Sequence, residues 1–189
     1  YSKMVGDFVN DAKDLVEVAW DWSALRTTQT ITTSASDYTY SLTGTGNEGK
    51  VFRIINDTSN VELQYQTQAW FDDKYLIQTP VSGSPQYFTY NGVDANADTQ
   101  IDLYPTPDGV YSLKARLVKR NVALTADAGV LAVPSSPVIH MAIALLARER
   151  GETGGTSTAE YFAIADKHLS DAIVLDAQKH PEETIFYSP

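Results

Sequence analysis

Residues 44–49 read Gly-Thr-Gly-Asn-Glu-Gly, the GxGxxG spacing that brings backbone amides to a pyrophosphate in dinucleotide-binding folds. That chemistry needs a strand before the motif and a helix after it. Here the residues that follow, 51–56, are strand-like, so a hairpin loop is expected in place of a cofactor site. A second glycine-rich run, "GETGGT" at 151–156, precedes a helical stretch and could hold an anion on free amides. It lacks the lysine of a phosphate loop, and a flexible interhelical link is expected. The histidines are His140, His168 and His180, and none forms HExxH or another close metal spacing. His140 and His168 could meet across a helical hairpin, where paired packing is the expected role. No GxSxG nucleophile elbow occurs, and Asp72-Asp73 alone is too little for acid–base chemistry. The chain has no cysteine, which excludes disulfides, thiolate metal sites and cysteine nucleophiles. The expectation is a protein that is not an enzyme, with no catalytic residues, no cofactor and no metal.

Bulk properties point the same way. A chain of 189 residues suits one domain carrying an insertion, or two small ones. Its net charge of −10 argues against a protein that wraps nucleic acid, because phosphate binding needs clustered Lys and Arg. No run of about 18 apolar residues exists, so no membrane span is expected. Against this acidic background Lys114, Arg116, Lys119 and Arg120 put four of the fourteen Lys and Arg residues close together. Two readings stay open: a solvated strand face, or a contact surface for an acidic partner or passing DNA.

The elements that would position these residues fall into three stretches. Residues 3–20 read as a helix, with Val5, Phe8, Ala12, Leu15, Val16 and Ala19 at helical spacing and Lys13, Asp14 and Glu17 on the other positions. From about 25 to 134 the chain reads mostly β, with Thr-rich and alternating runs separated by Gly and Asn clusters. "KVFRIIN" is nearly all apolar and is expected to be central. "VELQYQ" alternates, with Val61, Leu63 and Tyr65 on one side. Residues 67–77 are the exception and look like a short helix. "IDLYPTPDGVYSLKARLVKR", 101–120, reads as a β-hairpin with a rigid Pro-rich connection. Its buried positions are Ile101, Leu103, Leu113 and Leu117, with Lys114 and Arg116 exposed. After Pro134 two helices follow, the first closing at Gly151 and the second opening on a Ser157–Glu160 capping box. The second carries Tyr161, Ile164, Ala165, His168, Leu169, Ala172, Ile173 and Asp176 along one side. The fold expected is α+β: a helical bundle of residues 1–24 and 135–180, an inserted, mainly antiparallel β region over 25–134, and a tail at 181–189.

Several stretches together resemble one known family, the head-to-tail adaptor proteins of tailed phages, which include the tail tubular protein A connectors. "WDWSALRTTQTITT" is similar to that family's Trp-rich helix end and Thr-rich first strand. "TQIDLYPTPDGVYSLKARLVKR", "GSPQYFTYNG", "LAVPSSPVIHMAIALLARERGE" and "AEYFAIADKHLSDAIVLDAQ" resemble its later segments in order and spacing. Residues 67–77 depart from the pattern. The resemblance implies a structural virion protein at the head–tail junction, assembled in the host cytoplasm. It implies a homo-oligomeric ring, commonly of twelve copies, between the portal protein and the next tail component (a nozzle or tail tube protein). DNA is only passing cargo in its channel. In this setting Lys114, Arg116, Lys119 and Arg120 are interface candidates. So are Ile185, Phe186 and Tyr187, apolar residues in a polar terminus, expected to form an arm that docks on a neighbouring copy or the portal. The alternative is a tail-associated carbohydrate- or receptor-binding β module, favoured by eleven tyrosines that could build stacking platforms.

Overall fold

The computed structural model describes residues 2–125, 129–149 and 156–180. Four α-helices, α1 (Ser2–Ala19), α2 (Gln68–Asp72), α3 (Ser135–Glu149) and α4 (Thr156–Ala177), accompany seven strands among these residues. The strands are β1 (Arg26–Thr32), β2 (Thr39–Ser41), β3 (Lys50–Asn56), β4 (Val61–Tyr65), β5 (Tyr87–Val93), β6 (Thr99–Tyr104) and β7 (Ser112–Val118). The class is therefore α+β. The chain divides into two compact units, Tyr1–Leu25 with Asn121–Pro189, and Arg26–Arg120.

In the helical unit α3 packs on both α1 and α4. Pro137 sits in the first turn of α3, where its missing N–H breaks no helical bond. Val138, Met141, Ala144 and Leu145 then recur at three and four along the buried side. On α4 the buried positions are Ala165, Ala172 and Asp176, while Tyr161 and Ile164 of the expected face are exposed. Residues 121–125 group with the helices. Asn10 of α1 both donates to Leu124 O (3.0 Å) and accepts from Leu124 N (2.7 Å).

That crossing segment corrects the expected face of α1. Ala12 and Val16 are buried as expected, but Lys13 and Glu17 are buried beside them, while Val5 and Leu15 are exposed. The strip turned inward meets main-chain groups as well as apolar atoms. Lys13 Nζ donates to Asn121 O at 3.1 Å and to Asp14 Oδ1 at 2.7 Å. Glu17 fares worse. The Lys13 ammonium lies 3.5 Å from Glu17 Oε2, and neither carboxylate oxygen receives a hydrogen bond of good geometry. Burial raises its pKa above the usual glutamate value, outweighing Lys13 and the Asn121 main chain, which favour the charged form. A raised folded-state pKa contributes stability that is present below the unfolded value and lost as pH rises through the folded one. Glu17→Gln is therefore expected to raise the melting midpoint at pH 7 and to remove this part of the pH dependence. A lower midpoint for the variant at pH 7 would show that the Lys13–Glu17 attraction dominates.

The second unit is a seven-stranded sheet in the order β1-β7-β3-β4-β5-β6-β2. All pairings are antiparallel except β4 with β5. Strands from both halves of that order feed one core, in which Ile31, Ile54, Phe88, Ile101, Leu103, Leu113 and Leu117 pack together. Central placement of "KVFRIIN" holds, since β3 lies between β7 and β4. On β4 only Leu63 is buried, and Val61 and Tyr65 are exposed.

Two loops expected to close hairpins do not. β6 pairs with β5 and β2, and β7 with β1 and β3, so residues 105–111 carry the chain from one half of the sheet to the other. The turn residues bond to other loops instead. Thr106 N donates to Val81 O (3.0 Å), Ser36 N to Pro107 O (2.9 Å) and Thr33 N to Tyr111 O (3.0 Å), and Tyr104-Pro105 is cis. Residues 44–49 likewise link β2 to β3, which are not paired. Alternation along a strand reports which face is buried and is silent about which strand lies alongside.

Candidate interface surfaces

β7 presents a clean two-sided strand. Leu113, Ala115 and Leu117 are fully buried, while Lys114 and Arg116 point out. The register places Thr30, Lys114 and Ile55 in one outward row and Thr28, Arg116 and Arg53 in the next. Arg53 and Arg116 thus face each other, a like-charge pair relieved on one side by Glu62, 2.5 Å from Arg53. Lys114 pairs with Asp57 at 2.8 Å, and Arg120 pairs with Glu48. Among the described residues Lys119 and Arg116 have no ion pair, so the structure spreads the basic run into partly neutralised sites. Exposed pairs of this kind are worth about 0–1 kcal/mol. Lys114→Glu with Arg116→Glu is expected to shift stability by no more than about 1 kcal/mol by the same measure, checked by denaturant midpoint. A larger loss would mean that the row is structural. Ile185, Phe186 and Tyr187 lie outside the described residues, as do Gly151 and most of the glycine-rich link.

The GxGxxG segment is occupied by its own chain. Gly44 and Gly46 adopt left-handed backbone (φ +72° and +62°), which aims their amides at Asp98. Gly44 N donates to Asp98 Oδ2 at 2.8 Å and Gly46 N to Oδ1 at 2.9 Å. The amide nest holds an internal carboxylate and is followed by strand β3, so it is a structural clasp. His140 and His168 do meet: their rings stack at 4.0 Å and 6°, with Ser136 Oγ 3.0 Å from His168 Nδ1. Among the described residues no group of three or more His, Asp or Glu side chains is placed to hold a metal. No described helix is long and apolar enough to cross a membrane.

Residues 67–77, where the sequence pattern gave out, form α2 followed by a π-helical turn over Asp73–Ile77. Thr67 caps α2, its hydroxyl accepting from Trp70 N at 3.3 Å. The turn is held firmly. Tyr75 donates to Leu103 O (2.5 Å), lies 3.1 Å from Thr106 Oγ1 and stacks on Tyr38 at 4.4 Å. Burial pushes the Tyr75 phenol up to about 12. Phe71 is buried, and Trp70 sits against Tyr87 and Tyr104. This anchor leaves Leu76 and Ile77 80% and 78% exposed. The sequence gives no sign of that exposure, because an apolar pair in a short helix reads as core.

A second feature that sequence reasoning missed is an open groove of about 720 Å³ over β3, β4 and β5, with Phe52, Leu63, Tyr65, Phe88 and Tyr90 among its walls. It arises because β3 meets β4 only along Ile54–Asn56, and β4 meets β5 only at Gln64 and Tyr65. The Tyr90 phenol bridges the gap, accepting from Val51 N at 2.8 Å. The helical unit also leaves apolar side chains uncovered: Met4, Leu15 and Val18 on α1, Ile139 and Ile143 on α3, Ile164 and Leu175 on α4.

These surfaces lie on both units, and the match to a known family also spans both. The model of the SU10 adaptor protein family covers residues 1–183. The chain belongs to that family. No curated protein matches the chain. Membership in the SU10 adaptor family gives the protein a structural adaptor role in a phage virion, which is not an enzymatic one. It also implies contact with other virion components.

Proposed function

We propose that this member of the SU10 adaptor family assembles into a homo-oligomeric ring, of twelve copies, at the head–tail junction. The ring joins the portal protein to the next tail component, a nozzle or tail tube protein, and DNA passes through its channel at ejection. The observation that carries this reading is the family match across residues 1–183, which takes in both units of the fold. The exposed apolar side chains on α1, α3 and α4 support it, since an adaptor needs large surfaces that other subunits cover. We assign the helical unit to the portal side and to neighbouring copies, and the β unit to the next tail component. The outward basic residues Lys114, Arg116, Lys119 and Arg120 face an acidic partner surface or the channel. Ile185, Phe186 and Tyr187 form a docking arm.

Solution mass and negative-stain images test the ring, on the isolated chain and on the chain mixed with portal-bearing heads. Rings are expected in at least one of the two. A compact monomer or trimer in both, with affinity for glycans, would overturn the ring in favour of a receptor-binding module. Lys114→Glu with Arg116→Glu is expected to slow assembly or ejection without unfolding the chain, and fully infectious particles carrying both would remove that assignment.

A further inference from the structure

We propose that His140 and His168 form an acid-sensitive latch between α3 and α4, which holds while at most one imidazole carries a proton and loosens when both do. The inference concerns the helical unit of a single chain and does not rest on the ring.

The two rings lie face to face, 4.0 Å apart and 6° from parallel, across the packing of α3 on α4. Parallel rings aim their nitrogens along parallel planes, so the pair does not converge on one metal ion. Both side chains are half-buried, and protons reach them from water. One proton leaves a cation against a neutral ring. A second puts two unit charges about 4 Å apart, a repulsion that shifts an equilibrium about fivefold even at the dielectric of bulk water.

The surroundings supply a counter-charge for one imidazolium only. On α3 the residues one turn from His140 are Ser136, Pro137, Ile143 and Ala144, all uncharged. On α4 those one turn from His168 are Ile164, Ala165, Asp171 and Ala172, while Asp166 and Lys167 are exposed on its other sides. On α1, which also packs on α3, Lys13 and Glu17 are turned toward each other and residue 121, and Lys3, Asp7, Asp11 and Asp14 are exposed. Residues 121–125 and 129–134 carry no charge. Ser136 Oγ lies 3.0 Å from His168 Nδ1 and can donate to the neutral ring or accept from the charged one, so this bond survives protonation. The loosening comes from the repulsion.

The latch contributes stability at neutral pH and loses it as pH falls between about 7.5 and 5, where imidazole takes up its proton. Glu17 acts in the opposite direction over that range, and Asp176 loses its contribution only in strong acid. Ile139 and Ile143 on α3 and Ile164 on α4 are exposed on the same two helices, so opening the latch changes the apolar surface offered to a partner.

Native-state amide exchange on the full chain, corrected for the intrinsic pH dependence of exchange, tests the latch at about pH 7.5 and about pH 5. Opening of α3, and of α4 around residue 168, is expected to rise about fivefold or more at the lower pH relative to β7. The end of α4 is left out of the reading, because His180 lies there, about three turns from His168. His140→Phe keeps a stacked ring without its charge and should abolish the acid response. Raising salt to about 1 M, where the screening length is about 3 Å, should shrink the response of the wild type. Opening of α3 that is the same at both pH values overturns the proposal. So does an equal acid response in His140→Phe. Should that variant fail to fold, the salt series on the wild type decides: an acid response undiminished by salt overturns the latch.

Discussion

Asp176→Ala is expected to destabilise the helical unit by about 3–5 kcal/mol, because it strands donors that a single buried carboxylate now satisfies. Asp176 is only 5% exposed and receives Trp20 Nε1 (3.2 Å), Ser23 N (2.8 Å), Ser23 Oγ (2.6 Å) and Lys179 Nζ (3.0 Å). It therefore ties the end of α4 to the turn that follows α1. The same turn is fixed from its other side by Trp22, whose indole donates to Val16 O at 2.7 Å and so occupies a carbonyl near the helix C-terminus. Burial alone would raise the pKa of Asp176. The bonds from the Ser23 side chain and backbone and from Lys179 outweigh it, and the carboxyl is held below its usual range. A lowered folded-state pKa contributes stability that is present above the unfolded value, roughly 3.9, and lost as pH falls through the folded one. The wild type should lose this contribution in strong acid, and Asp176→Ala should show less acid sensitivity there. Denaturant midpoints at pH 7 and under acid conditions measure both effects. A loss under about 1 kcal/mol at pH 7 would mean that the network is dispensable.

Leu113→Ala should cost the β unit about 2–5 kcal/mol, as transfer and cavity terms add in a core that cannot collapse. Leu113 is fully buried and lies between Ile31 on β1 and Asn56 on β3, with both halves of the sheet closing over it. Its neighbour Lys114, one residue on, is expected to tolerate Ala within about 1 kcal/mol. That contrast between adjacent positions is a direct check on the strand register. The chain holds two compact units, so one global midpoint need not describe both. Amide exchange in β7 and in α4 separates them: Leu113→Ala should speed exchange in β7, and Asp176→Ala in α4. Unchanged exchange across β7 in Leu113→Ala would show that the residue is not part of the core.

Local pattern carried much of this fold. Three long helices and most strands follow from spacing that the backbone geometry demands, period 3.6 in one case and 2 in the other. The burial of Leu113, Ala115 and Leu117, with Lys114 and Arg116 outside, was legible because one face of β7 must leave water. That the GxGxxG run leads into a strand and not a helix was legible too, from the apolar, β-branched residues at 51–56. The family came from the order of several loose motifs, none of them decisive alone.

What tertiary structure decided was partnership. β6 and β7 flank a turn of ideal composition, yet each pairs elsewhere, because hydrogen-bonding partners are chosen by the whole sheet and leave no mark on a strand's own alternation. Lys13, Glu17 and Asp176 looked like solvated positions or slips in an apolar face. They are buried because main-chain groups from residues 23 and 121, distant in sequence, arrive beside them. Leu76 and Ile77 show the reverse. Hydropathy would bury them, but Tyr75 and Phe71 already fill the available core, so the π-helical turn leaves the next two side chains in water. Hydrophobicity sets how much each residue gains from leaving water, while the surrounding chain sets whether there is any room for it to do so.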